Sequence, residues 1–521
     1  MGNNELINQI GKLKQTKKPK RIVILGAGLA GLTAAYELSK LGHQVEIYEA
    51  QHRIGGRVWT WRPDSTSAHE LGAMRIPQGH KLTRHYIDVA GLSKKLRPFI
   101  TSHANPDAYY LLNNELVRIK YSANIIRKNF ALSSREQALI NKGIPAPALL
   151  GEQFSWLLDE LTTADQESLL GKRALTPRVR KMAGTTLKDF LDENLDSKAA
   201  RELIGVSTGL DVWWDRSLAM FIRDELIGTG TGLEELDGGM DQLPTELAKL
   251  LPNGVLSLGL AVTKIDNKGN SAELFLKHTK DQDGYPVDKN SDVQRIECDN
   301  VLCTIPFGVL RTIDIRGLSR KKHTAIRRLT YANSTKVLFY VKDRLWERPP
   351  SSIYGGASHS DSITRATYYP SDVVSQRSEN NKFGNQGIHS SFNLQRNSVR
   401  ELDTNIQRPG VLVASYNWGM DAVRMGALTK SERKQACLEV LERMHPGLSN
   451  LVTDDASIAW HDYRWAKGAF GFHRPGDFEE LFSAALEPEG AIRFAGEHTS
   501  LEPGWMQGAI ESALREVLSL A

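Results

Sequence analysis

The sequence predicts an α/β fold that begins with a Rossmann-like nucleotide-binding unit, and three observations predict it. Arg21 to Leu25 is a short apolar run of the kind that forms a buried strand, and it stops at a glycine turn. A stretch with helical spacing, Leu29 to Leu41, leads into a second strand pattern, Gln44 to Tyr48, which ends in Glu49. Later in the chain, a Leu-, Ala-, Glu- and Lys-rich region at 125–230 carries apolar residues three and four apart, and strand patterns alternate with loops from about 323 to 485.

The glycine turn reads Gly26-Ala27-Gly28-Leu29-Ala30-Gly31, the G-x-G-x-x-G spacing. Gly26 allows the tight turn, Gly28 lets the backbone approach a pyrophosphate, and Gly31 lets the helix pack on the strand. The helix points free N–H groups and the positive end of its dipole at the phosphates. Glu49 stands where a carboxylate accepts hydrogen bonds from a ribose. Glycine spacing alone is a weak signal; strand, glycines, helix, strand and acid in register specify a dinucleotide. Arg53-Ile54-Gly55-Gly56-Arg57 follows, which a nicotinamide site does not need. Its paired glycines let the backbone lie against a second part of a long cofactor, and Arg57 can set a guanidinium on the phosphates.

This pairing of GAGLAG…E with RIGGR resembles the flavin-binding signature of the monoamine oxidase and L-amino acid oxidase superfamily. The resemblance covers most of the chain and implies FAD as the cofactor. It implies a discontinuous Rossmann-like FAD-binding domain of the amine-oxidase type at 20–75, 236–320 and 488–521. A substrate-binding mixed-sheet domain would take 76–124 and 321–487, a helical domain 125–235, and 1–19 would be a flexible basic arm. In His69-Glu70-Leu71-Gly72-Ala73-Met74-Arg75, the E-L-G-A run would lie against the flavin ring, and Met-Arg continues it as in L-amino acid oxidases. The implied cofactor residues are Gly26, Gly28, Ala30, Gly31, Glu49, Ala50, Gly56, Arg57, Gly72, Ala73, Met74, Arg75, Val262, Gly496, Glu497, Gly504 and Trp505. Val262, on a strand expected over Val255 to Ile265, would sit near the adenine. Glu497 would meet the ribityl chain, and a final helix opened by Pro503-Gly504-Trp505 would face the flavin N1/C2 carbonyl.

The chemistry that the resemblance implies is oxidation of an L-amino acid, with molecular oxygen as the second substrate. Arg75 would grip the substrate carboxylate bidentately and Tyr416 would give it a second contact, against a structural ion pair for Arg75 and a satisfied strand tyrosine for Tyr416. Lys336 matches the lysine that holds a water near flavin N5, against a strand lysine pointing to solvent. Trp460, Trp465 and Trp505 would wall the pocket, and the Gly504 carbonyl would accept from the substrate amine. Snake-venom L-amino acid oxidases bring a histidine to the substrate from the helical domain; here Arg223 takes that place, and arginine cannot serve as a base. Asp211, Trp213, Trp214 and Asp215 form an acidic, aromatic cluster that could favour a basic substrate, with a solvated helix end as the better reading. An amino acid 2-monooxygenase, an amine or polyamine oxidase, and a flavin-holding scaffold without turnover remain the alternatives.

Composition narrows the partners. At 521 residues two or three domains are expected, and 40% apolar with 24% charged residues is ordinary for a soluble globular protein. A net charge of +5 is small for this length and gives no nucleic-acid footprint. No apolar run reaches the ~20 residues a membrane span needs, and nothing in the sequence calls for a metal. Three cysteines, Cys298, Cys303 and Cys437, are an odd number in a chain with no signal-like start, which predicts a reducing, cytoplasmic setting. Members of the resembled family are commonly dimers or larger, so a homodimer or higher homo-oligomer is expected. Residues 376–409 are polar and read as an inserted surface loop or lid, and 281–292 as a polar hairpin tip.

Overall fold

A computed structural model describes residues 3–100, 105–141, 145–230, 232–280, 287, 292–373 and 407–521. The hairpin tip and the insertion expected above fall almost wholly outside them.

Five parallel strands form the first sheet, in the order Ile492–Phe494, Asn300–Cys303, Arg21–Leu25, Gln44–Tyr48, Leu256–Ser257. Four of the five residues of Arg21–Leu25 are buried, which is why that strand reads as an unbroken apolar run. The helix Leu29–Lys40 covers one face together with the final helix Met506–Leu520, so the first and last thirds of the chain share one core. The strand expected over Val255 to Ile265 is split in two. Leu256–Ser257 stays in the parallel sheet, and after Gly259, at φ +71°, Leu260–Asn267 turns into a separate four-stranded sheet.

Residues 1–19 were expected as a solvated arm, and the structure corrects this. Asn3–Lys12 is a helix that buries Leu6 and Ile10, one turn apart, against the final helix and Lys81–Val89. The lysines that suggested an arm sit on and after its outer face, so charge masked a short amphipathic pattern.

A seven-stranded mixed sheet builds the other wall, with Ser334–Val341 between the edge strand Val452–Ala459 and Gly410–Trp418. In that register Lys336 lies directly across from Tyr416, and the two side chains share one face of the sheet. Among the described residues, eight α-helices between Ala123 and Leu226 form the third layer. They are short, and Ser133, Thr162, Thr176, Thr186 and Ser197 each cap one by accepting from a backbone N–H of its first turn.

Candidate active site

A cavity of about 460 Å³ runs along the carboxyl ends of the parallel strands and on into the space between the mixed sheet and the helical layer. Gly26, Glu49, Thr304 and Gly496, each just past the end of a parallel strand, line its first part. The fit of this part to a dinucleotide can be tested on the glycines. A Cβ on Gly31 would come within 2.0 Å of the Gly26 carbonyl oxygen, so the helix can approach the strand only without a side chain there. Gly28, by contrast, lines the cavity, and a Cβ on it would meet no protein atom within 4 Å. Neither the helix Leu29–Lys40 nor Met506–Leu520 has a side-chain cap or an acid in its first turn, and Leu29, Ala30 and Met506 line the cavity. Two helix N-termini therefore present unshared N–H groups to it, the arrangement that holds phosphate at one end and a developing negative charge at the other.

Glu49 is buried and accepts from the backbone N–H groups of Ala27 at 2.7 Å and Gln51 at 3.0 Å. Burial pushes its pKa above the usual carboxylate range, against the pull of those two N–H groups. Its remaining lone pairs are free for ribose hydroxyls. Ala50, Gly56 and Val262 line the same end. Arg57 reaches Glu497 at 2.7 Å and the Ala469 carbonyl at 2.9 Å, while Glu497 also accepts from the Gly504 N–H at 2.9 Å. That ion pair ties the RIGGR segment to the start of the final helix.

Gly72, Ala73, Met74 and Arg75 line the middle of the cavity, and Lys336 fixes them. Its ammonium donates to the carbonyls of Glu70 at 3.0 Å and Gly72 at 2.8 Å, lies 3.3 Å from the Met74 sulfur, and sits 4.5 Å above the Tyr416 ring. It is no solvent-facing strand lysine; 1% of it is exposed. Burial pulls its basicity down, opposed by Glu70 and helped by the charge of Arg75. Glu70 moves the opposite way, pushed up by burial although Met240 N–H and Thr60 Oγ1 donate to it at 2.8 and 3.0 Å.

Arg75, Tyr416, Trp460, Trp465, Gly504 and Trp505 all line the far part of the cavity. Trp460 donates from Nε1 to the Leu71 carbonyl at 2.9 Å and is almost fully buried. Trp505 meets the buried His80 edge to face at 5.0 Å. Neither the Arg75 guanidinium nor the Tyr416 hydroxyl has a hydrogen-bond or ion-pair partner among the described residues. Both competing readings, a structural ion pair for Arg75 and a satisfied hydroxyl for Tyr416, are therefore unsupported. Arg75 stands close enough to Lys336 and Tyr416 for its charge to lower the proton affinity of both. A second cation beside Lys336 and a hydroxyl without a protein partner among the described residues suit this part of the lining to an anion.

Three sequence expectations change. Arg223 does not line the cavity: it is buried behind it, bonded to the carbonyls of Leu169 and Leu501 and to the Met220 sulfur. Its side chain ties helices together, and Phe221, Asp224 and Glu225 of the same helix face the cavity instead. Gly31 also has no face on the cavity and serves packing alone. Trp213 is not part of a solvated helix end but a cavity wall, stacked on Phe470 with ring centroids 5.3 Å apart. Sequence reasoning missed Trp418, Tyr368 and Glu225, whereas Phe470 falls in the stretch 467–470 that resembles the family's flavin-facing segment. Trp418 was within reach, since it lies two residues from Tyr416 on one strand and must share its face; Glu225 was not, because nothing in a helix's sequence says which acid meets a cavity.

Among the described residues no group of three or more His, Cys, Asp or Glu side chains is placed to hold a metal, and no helix is long and apolar enough to cross a membrane. The pattern of the flavin containing amine oxidoreductases matches residues 29–518. A flavin-dependent L-tryptophan oxidase of Lentzea aerocolonigenes is 34% identical over 96% of this chain and 98% of its own length. An L-amino-acid oxidase of Siganus canaliculatus is 30% identical, over 96% and 85%. Among solved structures, putrescine oxidase bound to putrescine superposes with a TM-score of 0.67 at 18% identity, covering 96% of this chain and 99% of that one. Cyclohexylamine oxidase from Brevibacterium oxydans gives 0.64 at 17%, over 96% and 98%. At these identities the solved structures speak for the fold.

Proposed function

The chain belongs to the flavin containing amine oxidoreductases, and from that premise we propose that it is an L-amino acid oxidase with FAD as its cofactor. The observation that carries this is Arg75, a guanidinium inside the cavity without an anionic partner among the described residues. A substrate lacking a carboxylate would leave that charge, beside Lys336, without a counter-ion. The relatives named as L-tryptophan and L-amino-acid oxidases at 34% and 30% identity support the same reading.

Gly28, Glu49, Arg57 and the two uncapped helix N-termini would hold FAD, which would supply a two-electron acceptor for the Cα hydride, so that the amino acid would become an imino acid that water hydrolyses to a 2-oxo acid and ammonia while oxygen is reduced to hydrogen peroxide. Arg75 and Tyr416 would hold the carboxylate and so fix the plane in which the Cα hydrogen points. The Gly504 carbonyl would accept from the amine. Lys336 holds residues 70–74 in place by its two carbonyl bonds, and its charge would stabilise negative charge that develops on oxygen. Arg223, a guanidinium bonded elsewhere, takes no proton from the amine; the substrate would lose that proton to water or arrive neutral. Three buried free thiols suit a cytoplasmic setting.

The test is reduction of the bound flavin without air. An L-amino acid bleaches its colour, whereas the corresponding amine without a carboxylate does so far more slowly. Colour lost with amines alone would turn the assignment to an amine oxidase, and an amide product without peroxide would turn it to a monooxygenase. A colour that no L-amino acid removes would leave a flavin-holding scaffold.

A further inference from the structure

Within that reading the side-chain subsite can be located. Trp213, Trp418 and Phe470 form a closed triangle on the cavity wall, with centroids 5.5 Å apart for Trp213 and Trp418, 5.4 Å for Trp418 and Phe470, and 5.3 Å for Trp213 and Phe470. The triangle stands between the two groups assigned to the substrate's polar end. Trp418 lies 4.8 Å from Tyr416, and the Phe470 ring packs on Gly504 so closely that a Cβ there would stand 3.1 Å from it. A molecule gripped by Arg75 and Tyr416, with its amine at Gly504, has its third substituent at this wall.

The charges nearby are mostly spent. Asp211, the acid that suggested a basic substrate, is bound to Arg365 at 2.6 Å, and Arg216 is bound to Asp224 at 2.8 Å. Of the two acids that the helix Leu218–Leu226 sets on the cavity, Glu225 is left; burial first, then the neighbouring Asp224, push it up to about 8, so near neutrality it presents an uncharged carboxyl. A wall of three rings with neutralised surroundings suits a flat π system, which gains from offset and edge contacts with each ring.

We propose that Trp213, Trp418 and Phe470 are the side-chain subsite and that the preferred substrates are L-amino acids with aromatic side chains. The inference rests on the amino acid oxidase reading, and its test separates the two. Purified holoenzyme is assayed for oxygen uptake and for anaerobic flavin reduction with L-phenylalanine, L-tryptophan, L-leucine, L-lysine and L-glutamate. The expected result is kcat/KM for the two aromatic substrates about tenfold or more above the others. In Trp213→Ala the ratio of kcat/KM for L-phenylalanine to that for L-leucine falls about tenfold, and Trp213→Phe recovers much of it. This ratio does not depend on how much of the variant folds. L-Leucine, L-lysine or L-glutamate ahead of the aromatic substrates would overturn the subsite while leaving an oxidase, as would an unchanged ratio in Trp213→Ala. Flavin that no L-amino acid reduces would overturn both.

Discussion

Replacing Arg75 by alanine isolates the contact on which substrate class depends. In the structure its guanidinium has no partner among the described residues, and it shares the cavity with the Lys336 ammonium, which already has two carbonyls and a ring to face. Removing Arg75 therefore breaks nothing in the fold that is visible and deletes a bidentate contact to the substrate alone. Each hydrogen bond between charged partners contributes about 1.5–3 kcal/mol, so the pair is worth about 3–6 kcal/mol. The fall in kcat/KM is then roughly two to four powers of ten. The assay is a comparison of L-phenylalanine with 2-phenylethylamine, which differs from it by the carboxylate, in anaerobic reduction of the flavin. Wild type prefers the amino acid strongly, and Arg75→Ala loses most of that preference because the amine never used the arginine. Arg75→Lys keeps the charge without the fork and falls between. If Arg75→Ala keeps the preference intact, the carboxylate is held elsewhere and the reasoning fails.

Other consequences can be checked in the same preparations. Lys336→Met is expected to slow reoxidation by oxygen more than reduction by substrate, since a cation in the cavity is lost; equal slowing of both half-reactions would reduce Lys336 to a positioning residue for 70–74. Glu225→Gln tests the raised carboxyl through stability: an acid at about 8 folded and about 4.5 unfolded stabilises fully below pH 4.5 and loses that contribution as pH rises to 8, at up to about 1.4 kcal/mol per unit. Melting of the glutamine variant should gain on wild type across that window. His69, His80 and His473, each held down to about 3 by burial, act in the opposite sense. Their contribution is complete above pH 6.5 and is lost as pH falls toward 3, so urea titrations should show a steep acid limb to which each His→Gln variant subtracts its share. Leu6→Ala should cost about 2–5 kcal/mol if the first helix is packed as described, whereas a solvated arm would show no change.

What the sequence made legible is whatever depends on short spacing. Strand, glycines, helix and Glu49 lie within thirty residues of one another, and so do the final strand, Glu497, Gly504 and Trp505; local geometry alone puts each set in register. Lys336 and Tyr416 could be placed because strands have period two and a family pattern supplied the pairing. What stayed hidden depends on rotation or on distant neighbours. On the helix Leu218–Leu226 a step of one residue turns a side chain by about 100°, so Arg223 falls behind the cavity while Asp224 and Glu225 meet it. Trp213 looked like a solvated helix end because its cover, Phe470 and Trp418, arrives more than two hundred residues later. The first helix was hidden by its own lysines, whose charge outweighed two apolar residues one turn apart.

The same cavity carries a consistent electrostatic plan. Burial raises Glu49, Glu70 and Glu225 and lowers Lys336. Two helix N-termini add their partial positive charge to that of Arg75. Under the proposed function such a site would take phosphates at the glycine turn and a carboxylate at Arg75, and would favour the electron-rich state of a ring held between them. Arg57 does not upset this balance, because Glu497 pairs with it at 2.7 Å and leaves that neighbourhood neutral. Glu497→Gln would break the pairing and add net positive charge beside the ring. A higher reduction potential of the bound flavin in that variant would therefore follow from charge alone, and an unchanged or lower one would mean that the Arg57 pair serves only to join two segments of the fold.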